Sequence, residues 1–276
     1  MTEIQKHPEF SIHCLEGSIN NIFLIKYADK ILLIDGGVTE DIGIIKSYCE
    51  EHFKCSPEKI TLSIVSHMHP DHVGGAYQLR ENYGVPIAAH KDVSKWYRGF
   101  SGFLQYRLDC FMTVSVGKRQ NKNINNVGFD RTLRPDYFLT DKKPLPFFND
   151  WQALHIPGHT RHDATIWHPD KKILYGADMV IGMRSSFDLP MPLLFKKKMK
   201  ASYKKLARLS PETLLLSHGE RLVKENIRQI FLSMIKQIDR PLTKLSKSVH
   251  ILSWYSPEFW TYFFKKKFNG AFLHEE

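Results

Sequence analysis

Short hydrophobic runs separated by polar turn residues recur along residues 1–220 of the chain. The segment 21–37, NIFLIKYADKILLIDGG, predicts two strands joined by a turn at Ala28-Asp29-Lys30. The segment 164–178, ATIWHPDKKILYGAD, predicts a hairpin that turns at His168-Pro169-Asp170. Further strands are predicted at 60–66, at 85–90, at 145–157 around a turn at Asn149-Asp150, and at 213–217.

Helical spacing occurs between the first strands. Apolar residues on one face predict an amphipathic helix over 40–53, and these residues are Ile42, Ile44, Ile45, Tyr48 and Cys49. A second helix is predicted over 75–83, where Gly84 ends it. Strands with helices between them indicate the α/β class.

Two segments break this rhythm. Residues 91–135 begin with aromatic residues at helical spacing and continue with the polar stretch GKRQNKNINN, which predicts a helix followed by a loop. Residues 221–276 are mostly helical in pattern, with breaks expected at Pro241 and Pro257. We therefore expect one main domain over 1–220, a cap insertion at about 91–135, and a helical C-terminal extension over 221–276 that packs on the main domain.

The strongest chemical signal is SHMHPDHVGG at residues 66–75, directly after a predicted strand. It places four metal-ligand residue types within six positions: His67, His69, Asp71 and His72. Imidazole nitrogen and carboxylate oxygen are ligands that Zn²⁺ accepts. This density favours a metal site over a chance grouping among the 14 histidines of the chain.

Three more ligand-type residues follow later apolar runs. His159 lies in IPGHT, Asp178 in YGAD and His218 in LLLSHGE. Each alone is typical of a structural histidine or a helix cap. Because all three follow the first motif in this order, they are candidate metal ligands as a set.

In this order, the motifs HxHxDH, GHT, G-x-D and SHG resemble those of the metallo-β-lactamase superfamily of hydrolases. The resemblance covers about residues 21–220 and includes LLIDGG, whose Asp35 is similar to the first motif of that family. It implies an αββα sandwich with the metal site at one edge of two packed sheets. We expect that fold here, with a helical insertion and a helical C-terminal extension.

The resemblance also implies a dinuclear metal site. It assigns His67, His69 and His159 to a first cation, Asp71, His72 and His218 to a second, and Asp178 to both. Two Zn²⁺ ions are expected, although Fe or Mn would suit the same ligands. A hydroxide shared by the two cations would attack a carbonyl or phosphoryl centre. Asp71 is the candidate catalytic group for proton transfer, and Asp35 is expected to orient the ligand loop.

The superfamily contains several chemistries, and the fold does not select among them. The ligand set is similar to that of glyoxalase II, but GHTRHD replaces the usual GHTxGH and brings in Arg161, His162 and Asp163. The insertion and the helical C-terminus resemble the bacterial thioesterase that responds to quinolone signals. The Cys ligand of B1-type lactamases has no counterpart. We therefore expect cleavage of a small ester, thioester or lactone, the alternatives being a phosphodiesterase or nuclease, or a metal-bound regulator with little turnover.

Composition narrows the class of protein. The chain has 276 residues, of which 42% are hydrophobic and 25% charged, as in an ordinary globular protein. Four scattered cysteines without a CxxC motif indicate reduced thiols in a cytoplasmic protein. The N-terminus lacks the apolar core of a signal peptide, and the chain has no run of 18 apolar residues, so we expect no membrane span.

The net charge of +10 is carried by three segments. The excess is +6 over 91–135, +7 over 195–208 and +5 over 221–276, which leaves the remainder acidic. It indicates solvated helix faces, such as the spacing of Lys196, Lys200 and Lys204, or an anionic or acyl-bearing small-molecule substrate. Nucleic acid is the less favoured partner, because the chain has no motif of an RNA-binding module.

The aromatic residues at 96–111 have two interpretations. They form either the packed core of a helical cap or a hydrophobic wall over the metals. Under the second interpretation, Tyr97, Tyr106 and Arg184 are candidate substrate contacts.

Overall fold

Two β-sheets form the centre of the protein in the computed structural model, which describes residues 2–183 and 186–241. The first sheet contains, in spatial order, β1 (Thr2–Lys6), β2 (Phe10–Glu16), β3 (Asn21–Tyr27), β4 (Ile31–Ile34), β5 (Ile60–Val65), β6 (Ile87–Ala89) and β7 (Tyr137–Phe138). The second contains β15 (Leu222–Val223), β14 (Thr213–Leu215), β11 (Ile173–Tyr175), β10 (Ala164–His168), β9 (Phe148–His155) and β8 (Pro144–Leu145). A small ribbon pairs β12 (Ile181–Gly182) with β13 (Phe187–Asp188).

Helices cover the outer faces of the sheets. They are α1 (Ile42–Tyr48), α2 (Pro70–Tyr83), α3 (Gly99–Arg119), α4 (Lys196–Leu209) and α5 (Ile227–Gln237). Side chains of α1 and α2 pack on the first sheet, and side chains of α4 and α5 pack on the second. The layers therefore run helix, sheet, sheet, helix, and the expected αββα sandwich is confirmed.

Alternation along β3 shows how the sequence builds these layers. Phe23 and Ile25 point into the core between the two sheets, whereas Ile22 and Leu24 pack on the helix side. Successive side chains of a strand point to opposite faces, so a strand covered on both faces is apolar at nearly every position. All seven residues of β3 except Lys26 are buried.

The topology brings several strand ends to one edge. Strand β5 is parallel to β4, and β14 is parallel to β11. Strand β9 runs in the same direction as β11, because each is antiparallel to β10. The chain just after β5, β9, β11 and β14 carries the seven candidate ligands. Hydrogen bonds between the two sheets, such as that from the Ala164 amide to the Ser66 carbonyl at 2.9 Å, bring these segments to one side of the sandwich.

Two local predictions were wrong. The turn predicted at Asn149-Asp150 lies instead at residues 146–147, where Phe147 has φ of 64°, and Asn149-Asp150 belongs to β9. Helix α2 begins at Pro70 rather than near residue 75. Proline suits the first position of a helix because its missing N–H would have no partner there. Pro70 also belongs to the metal-ligand motif, and for that reason it was not interpreted as the start of a helix.

The cap helix α3 has its polar side inward. Its buried residues are all polar or glycine: Gly102, Gln105, Asp109, Thr113 and Gly117. Large apolar side chains lie on its exposed side, among them Phe100, Phe103 and Phe111. The predicted helix is present, but the aromatic residues divide. Trp96 and Tyr97 are fully buried core residues just before the helix, Tyr106 packs partly buried against them, and the three phenylalanines face away from the core.

The basic stretch 195–208 forms most of α4, whose inner face carries Met199, Tyr203 and Leu206. Lys200 forms an ion pair with Asp239 beyond α5. Helix α5 shares its apolar core with α4 and the second sheet. The division of the chain at residue 220 stays a prediction, because residues 242–276, with the expected break at Pro257, lie outside the described residues.

Within residues 2–183 and 186–241, the structure shows no helix with the length and apolar character needed to cross a membrane.

Candidate metal centre

The loop after β5 positions the first motif. Strand β5 ends at Val65, the backbone stays extended at His69, and α2 begins at the next residue. This places His67 and His69 on the loop, and Asp71 and His72 in the first turn of α2. The motif therefore places one pair of candidate ligands on a loop and the other pair on a helix.

The two glycines that end the motif serve close packing. Gly74 and Gly75 both lie inside α2. A Cβ on Gly75 would stand 2.0 Å from the carbonyl oxygen of Gly36, and one on Gly74 would stand 2.6 Å from the amide nitrogen of Thr39. Only glycine lets α2 approach the loop after β4 this closely.

The first cluster consists of three imidazole nitrogens that face one another. His69 Nδ1 lies 3.0 Å from His67 Nε2 and 3.0 Å from His159 Nε2. Protons on these atoms could satisfy only part of the set, whereas one divalent cation accepts all three lone pairs, with zinc–nitrogen distances of about 2.0–2.1 Å. The donor set of this cluster fits a cation.

The second cluster has a mixed donor set. Asp71 Oδ2 lies 3.3 Å from His218 Nε2 and 3.5 Å from His72 Nε2. The side chain of His72 is completely buried, and those of Asp71 and His218 are 11% and 16% exposed. Two imidazoles and a carboxylate also fit a divalent cation.

Asp178 lies between the two clusters. Its Oδ1 is 3.1 Å from His72 Nε2 and 3.3 Å from His218 Nε2. Its Oδ2 is 3.8 Å from His67 Nε2 and 3.7 Å from His159 Nε2. One carboxylate therefore presents one oxygen to each cluster. The structure brings together all seven residues that the resemblance assigned to the metals.

The charges of the two clusters differ. Burial lowers the pKa of His67, and burial likewise lowers the pKa of His69 to about 4, so the first cluster offers neutral imidazoles. Burial acts in the same direction on His72, but the carboxylates of Asp178, Asp71 and Asp35 outweigh it and raise the pKa of His72 well above its usual value. Carboxylates that stabilise a proton at this point would also stabilise a divalent cation.

Asp35 anchors the ligand loop as expected. It is completely buried and accepts hydrogen bonds from the Ser66 amide at 2.8 Å, the Ser66 hydroxyl at 2.6 Å and the Tyr175 hydroxyl at 2.6 Å. The Nδ1 atom of His72 lies 2.8 Å from Oδ2 of Asp35. This contact leaves Nε2 of His72 directed at Asp71 and Asp178.

Three other candidate ligands contact a backbone carbonyl or a hydroxyl group through the ring nitrogen that faces away from the clusters. Nδ1 of His159 lies 2.9 Å from the carbonyl oxygen of Pro192, and Nδ1 of His218 lies 3.0 Å from that of Ile19. Nδ1 of His67 lies 3.0 Å from the Ser66 hydroxyl. Such partners fix the ring orientation and the tautomer of a metal-binding histidine.

Sequence reasoning missed the role of Asp163. Its Oδ2 accepts hydrogen bonds from three consecutive amides, those of Gly158, His159 and Thr160, at 3.1, 2.8 and 2.8 Å. The neighbouring His162 accepts the Met68 amide at 3.2 Å. The GHTRHD stretch departs from the glyoxalase II motif. Its Asp163 stabilises the loop after β9, and its His162 contacts the loop after β5. An aspartate three residues after a loop threonine is a local capping signal that could have revealed Asp163.

Replacing Asp163 with alanine should lower the free energy of unfolding by about 2–3 kcal/mol, because three buried amides lose an acceptor worth about 1 kcal/mol each. Urea denaturation followed by circular dichroism measures this loss. Asp130→Ala is the matched control, since Asp130 caps Thr132 in an exposed turn and its loss should cost only about 0.5 kcal/mol. Equal losses in both variants would contradict the role given to Asp163.

The proposed substrate contacts do not line the site. Tyr97 is fully buried, and its hydroxyl donates to Asp109 at 2.8 Å. The Tyr106 hydroxyl donates to the carbonyl of Phe129 at 3.1 Å. Both serve packing and hydrogen bonding within the cap, so the assignment of these two tyrosines was wrong. Arg184 lies outside the described residues.

A polar cleft of about 280 Å³ lies near the second cluster, and none of the seven candidate ligands lines it. Its walls come from the β2–β3 turn, from residues just after α3, and from the loop after His218; they include Ser18, Asn20, Lys122 and Arg221. Asn20 donates to the carbonyl of Asp71 at 2.6 Å, which joins the cleft to the cluster. Glu16 lies 3.0 Å from Lys122 and 3.8 Å from Arg221, so it offsets much of their positive charge.

The fold and the paired clusters define a metallo-hydrolase class. The structure of a metallo-beta-lactamase family protein from Thermus thermophilus aligns with a TM-score of 0.63 at 17% identity and covers 93% of both chains. The metallo-beta-lactamase FIM-1 from Pseudomonas aeruginosa, in its mono-zinc form, aligns with a TM-score of 0.60 at 14% identity, over 87% of this chain and 96% of that one. At these identities the likeness shows the fold.

The sequence profile of the Metallo-beta-lactamase superfamily matches residues 15–218. The chain therefore belongs to the metallo-beta-lactamase superfamily. Among curated proteins it is similar to the probable metallo-hydrolase YflN of Bacillus subtilis strain 168, with 23% identity over 234 residues, 79% of this chain and 87% of the relative. Membership of the superfamily is thus established, whereas the glyoxalase II-like subdivision stays a prediction.

Proposed function

We propose that the chain is a hydrolase that holds two divalent cations and cleaves a small ester, thioester or lactone. The observation that carries this proposal is the position of Asp178, with one carboxylate oxygen toward each cluster. A carboxylate so placed suits two cations held side by side. His67, His69 and His159 would hold one cation, and Asp71, His72 and His218 the other.

When bound, the cations would supply Lewis acidity and lower the pKa of water at the site. The protein supplies orientation and charge. Burial opposes ionisation of Asp71, but the His72 and His218 imidazoles outweigh it and lower the pKa of its carboxyl. Asp71 is therefore ionised, which suits a ligand of a cation. A lowered pKa also makes the carboxylate a weaker base, so its proposed role in proton transfer depends on its position at the cation site rather than on basicity.

Zinc is the metal we propose. Five of the seven candidate ligands are imidazoles, which zinc prefers more strongly than magnesium or calcium does. The related lactamase FIM-1 was solved in a mono-zinc form. Iron or manganese would fit the same donors, and elemental analysis distinguishes the three.

The substrate class rests on the donor set rather than on a cavity. Two cations beside each other suit polarisation of a carbonyl oxygen and attack by water, which is the chemistry of ester, thioester and lactone cleavage. The polar cleft of about 280 Å³ is lined by none of the seven candidate ligands, so it carries no part of this proposal.

The test is a substrate panel with purified, metal-loaded protein: acyl thioesters, lactones, simple esters and bis-p-nitrophenyl phosphate. We expect turnover of the first three classes and loss of both metal and turnover in His69→Ala. Preferred cleavage of the phosphodiester would overturn the substrate class and indicate the phosphodiesterase or nuclease. Full metal binding without turnover of any class would overturn the enzymatic proposal and indicate a regulator.

A further inference from the structure

One ligand histidine differs from the others in its outer contact. The outer ring nitrogens of His67, His72, His159 and His218 each lie 2.8 to 3.0 Å from an oxygen atom. Nε2 of His69 is buried and has no hydrogen-bond partner among the described residues. The carboxylate that faces it belongs to Asp109, whose Oδ2 lies 3.6 Å away.

Asp109 is built into the cap rather than into the sandwich. It lies on the inward side of α3, is 5% exposed, and is held by three neutral donors. Trp96 Nε1 and the Tyr97 hydroxyl donate to its Oδ2 at 3.2 and 2.8 Å, and Gln105 donates to its Oδ1 at 2.7 Å. These bonds fix the carboxylate in one orientation, with Oδ2 toward His69.

Burial without a neutralising cation is costly for a carboxylate. A histidine that binds a metal through Nδ1 becomes a stronger N–H donor at Nε2, so it would suit this carboxylate. The polar inward side of α3, unexpected in a helix this rich in aromatic residues, is explained if it serves the metal centre.

We propose that Asp109 is a positioning residue for His69. It accepts the Nε2–H of His69 and thereby holds the tautomer whose Nδ1 lone pair points toward His67 and His159. The proposal rests on the proposed function, because it assumes that His69 binds a cation. It makes the cap helix α3 part of the metal centre rather than only a cover for the substrate.

The geometry needs little adjustment. Closing the distance from 3.6 Å to the usual hydrogen-bond range of about 2.7–3.2 Å requires a shift of roughly half an ångström. His69 lies on the loop between β5 and α2, and its Nε2 has no hydrogen bond that such a shift would break. The ring of Trp96 lies edge-on to His69, 5.9 Å between centroids, and limits rotation on that side.

The test variant is Asp109→Asn, which keeps the size of the side chain and removes its charge. Gln105 can turn its amide so that its oxygen accepts from the new NH₂, because that oxygen has no hydrogen-bond partner in the described structure. The first measurement is nitrogen-15 NMR of the histidine rings in metal-free, full-length protein. We expect His69 to carry its proton on Nε2 in the wild type, and this preference to weaken in the variant.

The second measurement is zinc affinity by competition with a chromophoric chelator. Loss of an outer partner of a metal ligand typically lowers metal affinity about 10–100-fold, and we expect a loss in that range for Asp109→Asn. Asp130→Asn is the matched control: it makes the same chemical change in an exposed turn, where Asp130 contacts only Thr132 among its hydrogen-bond donors in the described structure, so zinc affinity should stay close to that of the wild type.

The outcomes separate this proposal from the proposed function. Wild-type His69 protonated on Nδ1 would overturn the role of Asp109 even if the variant failed to fold. Unchanged zinc affinity in folded Asp109→Asn would overturn it as well. A wild type that shows the expected tautomer but binds no divalent metal would support the contact and refute the metal-dependent function.

Discussion

Replacing Asp178 with asparagine is expected to lower hydrolytic turnover by more than about 100-fold, since loss of a residue that only supports a metal ligand already costs about 10–100-fold. The substitution keeps the size of the side chain but removes the charge shared by both clusters. It also puts an NH₂ group against one set of imidazole nitrogens that lie 3.1 to 3.8 Å from the carboxylate. The second cation should be retained least well.

Electrostatics supports an effect of this size. Burial opposes the charge on Asp178, but the His72 and His218 imidazoles outweigh it and hold the pKa of the carboxyl well below its usual range. The carboxylate is therefore ionised at neutral pH and balances positive charge in the site. Without it, two cations side by side would lose a negative charge placed between them.

The control for this prediction is Asp170→Asn, which makes the same chemical change at an exposed position in the turn between β10 and β11. Turnover and metal content should match the wild type in Asp170→Asn and fall together in Asp178→Asn. Wild-type turnover in Asp178→Asn would show that the carboxylate does not join the clusters in a working site.

Replacing Asp35 with alanine is expected to lower the free energy of unfolding by about 3–5 kcal/mol, the cost of removing one partner from a buried charged contact. Three donors, the Ser66 amide and hydroxyl and the Tyr175 hydroxyl, would lose their acceptor in a fully buried position. His72 would lose the contact that orients its ring. Metal affinity should therefore fall along with stability.

Urea denaturation with and without zinc measures both effects. Tyr175→Phe is the matched control, because it removes one of these donors and leaves the carboxylate, so about 1 kcal/mol is expected. A loss in Asp35→Ala no larger than in Tyr175→Phe would mean that Asp35 does not anchor the loop. Reduced stability with unchanged zinc affinity would separate folding from ligand orientation and contradict the second half of the prediction.

Much of the sandwich could be predicted because strands and turns depend on short-range patterns of apolar and polar residues. The apolar strands and the turn at Ala28-Asp29-Lys30 followed from short-range pattern, and the structure has them where expected. The turn between β8 and β9 did not follow, because Phe147 adopts a positive φ that is more typical of the polar turn residues nearby. The early start of α2 was hidden because its first residues also belong to the metal motif.

Candidate ligands were predictable for a different reason. Each follows an apolar strand, and parallel strand directions bring such positions to one edge. The residues that hold them were harder to find: Asp109 is 40 positions away from His69 in sequence, and its contact depends on how α3 packs. Its place in a polar stripe with Gly102, Gln105 and Thr113 was the one available signal.

The two-cluster arrangement also changes the interpretation of the net charge. Both clusters are built from histidine and aspartate, whereas the lysines of α4 lie on a helix that packs on the second sheet. Of the cationic residues near the site, Lys122 and Arg221 line the cleft, and both are close to Glu16. The described structure therefore gives the positive charge a small role at the site, confined to the cleft wall.

The central claim, two cations held by seven residues, is tested most directly by the metal content of the purified full-length protein. Elemental analysis should find about two divalent ions per chain, with zinc foremost, and His69→Ala should retain fewer. A protein that purifies without metal and takes up no zinc, iron or manganese on titration would contradict the account.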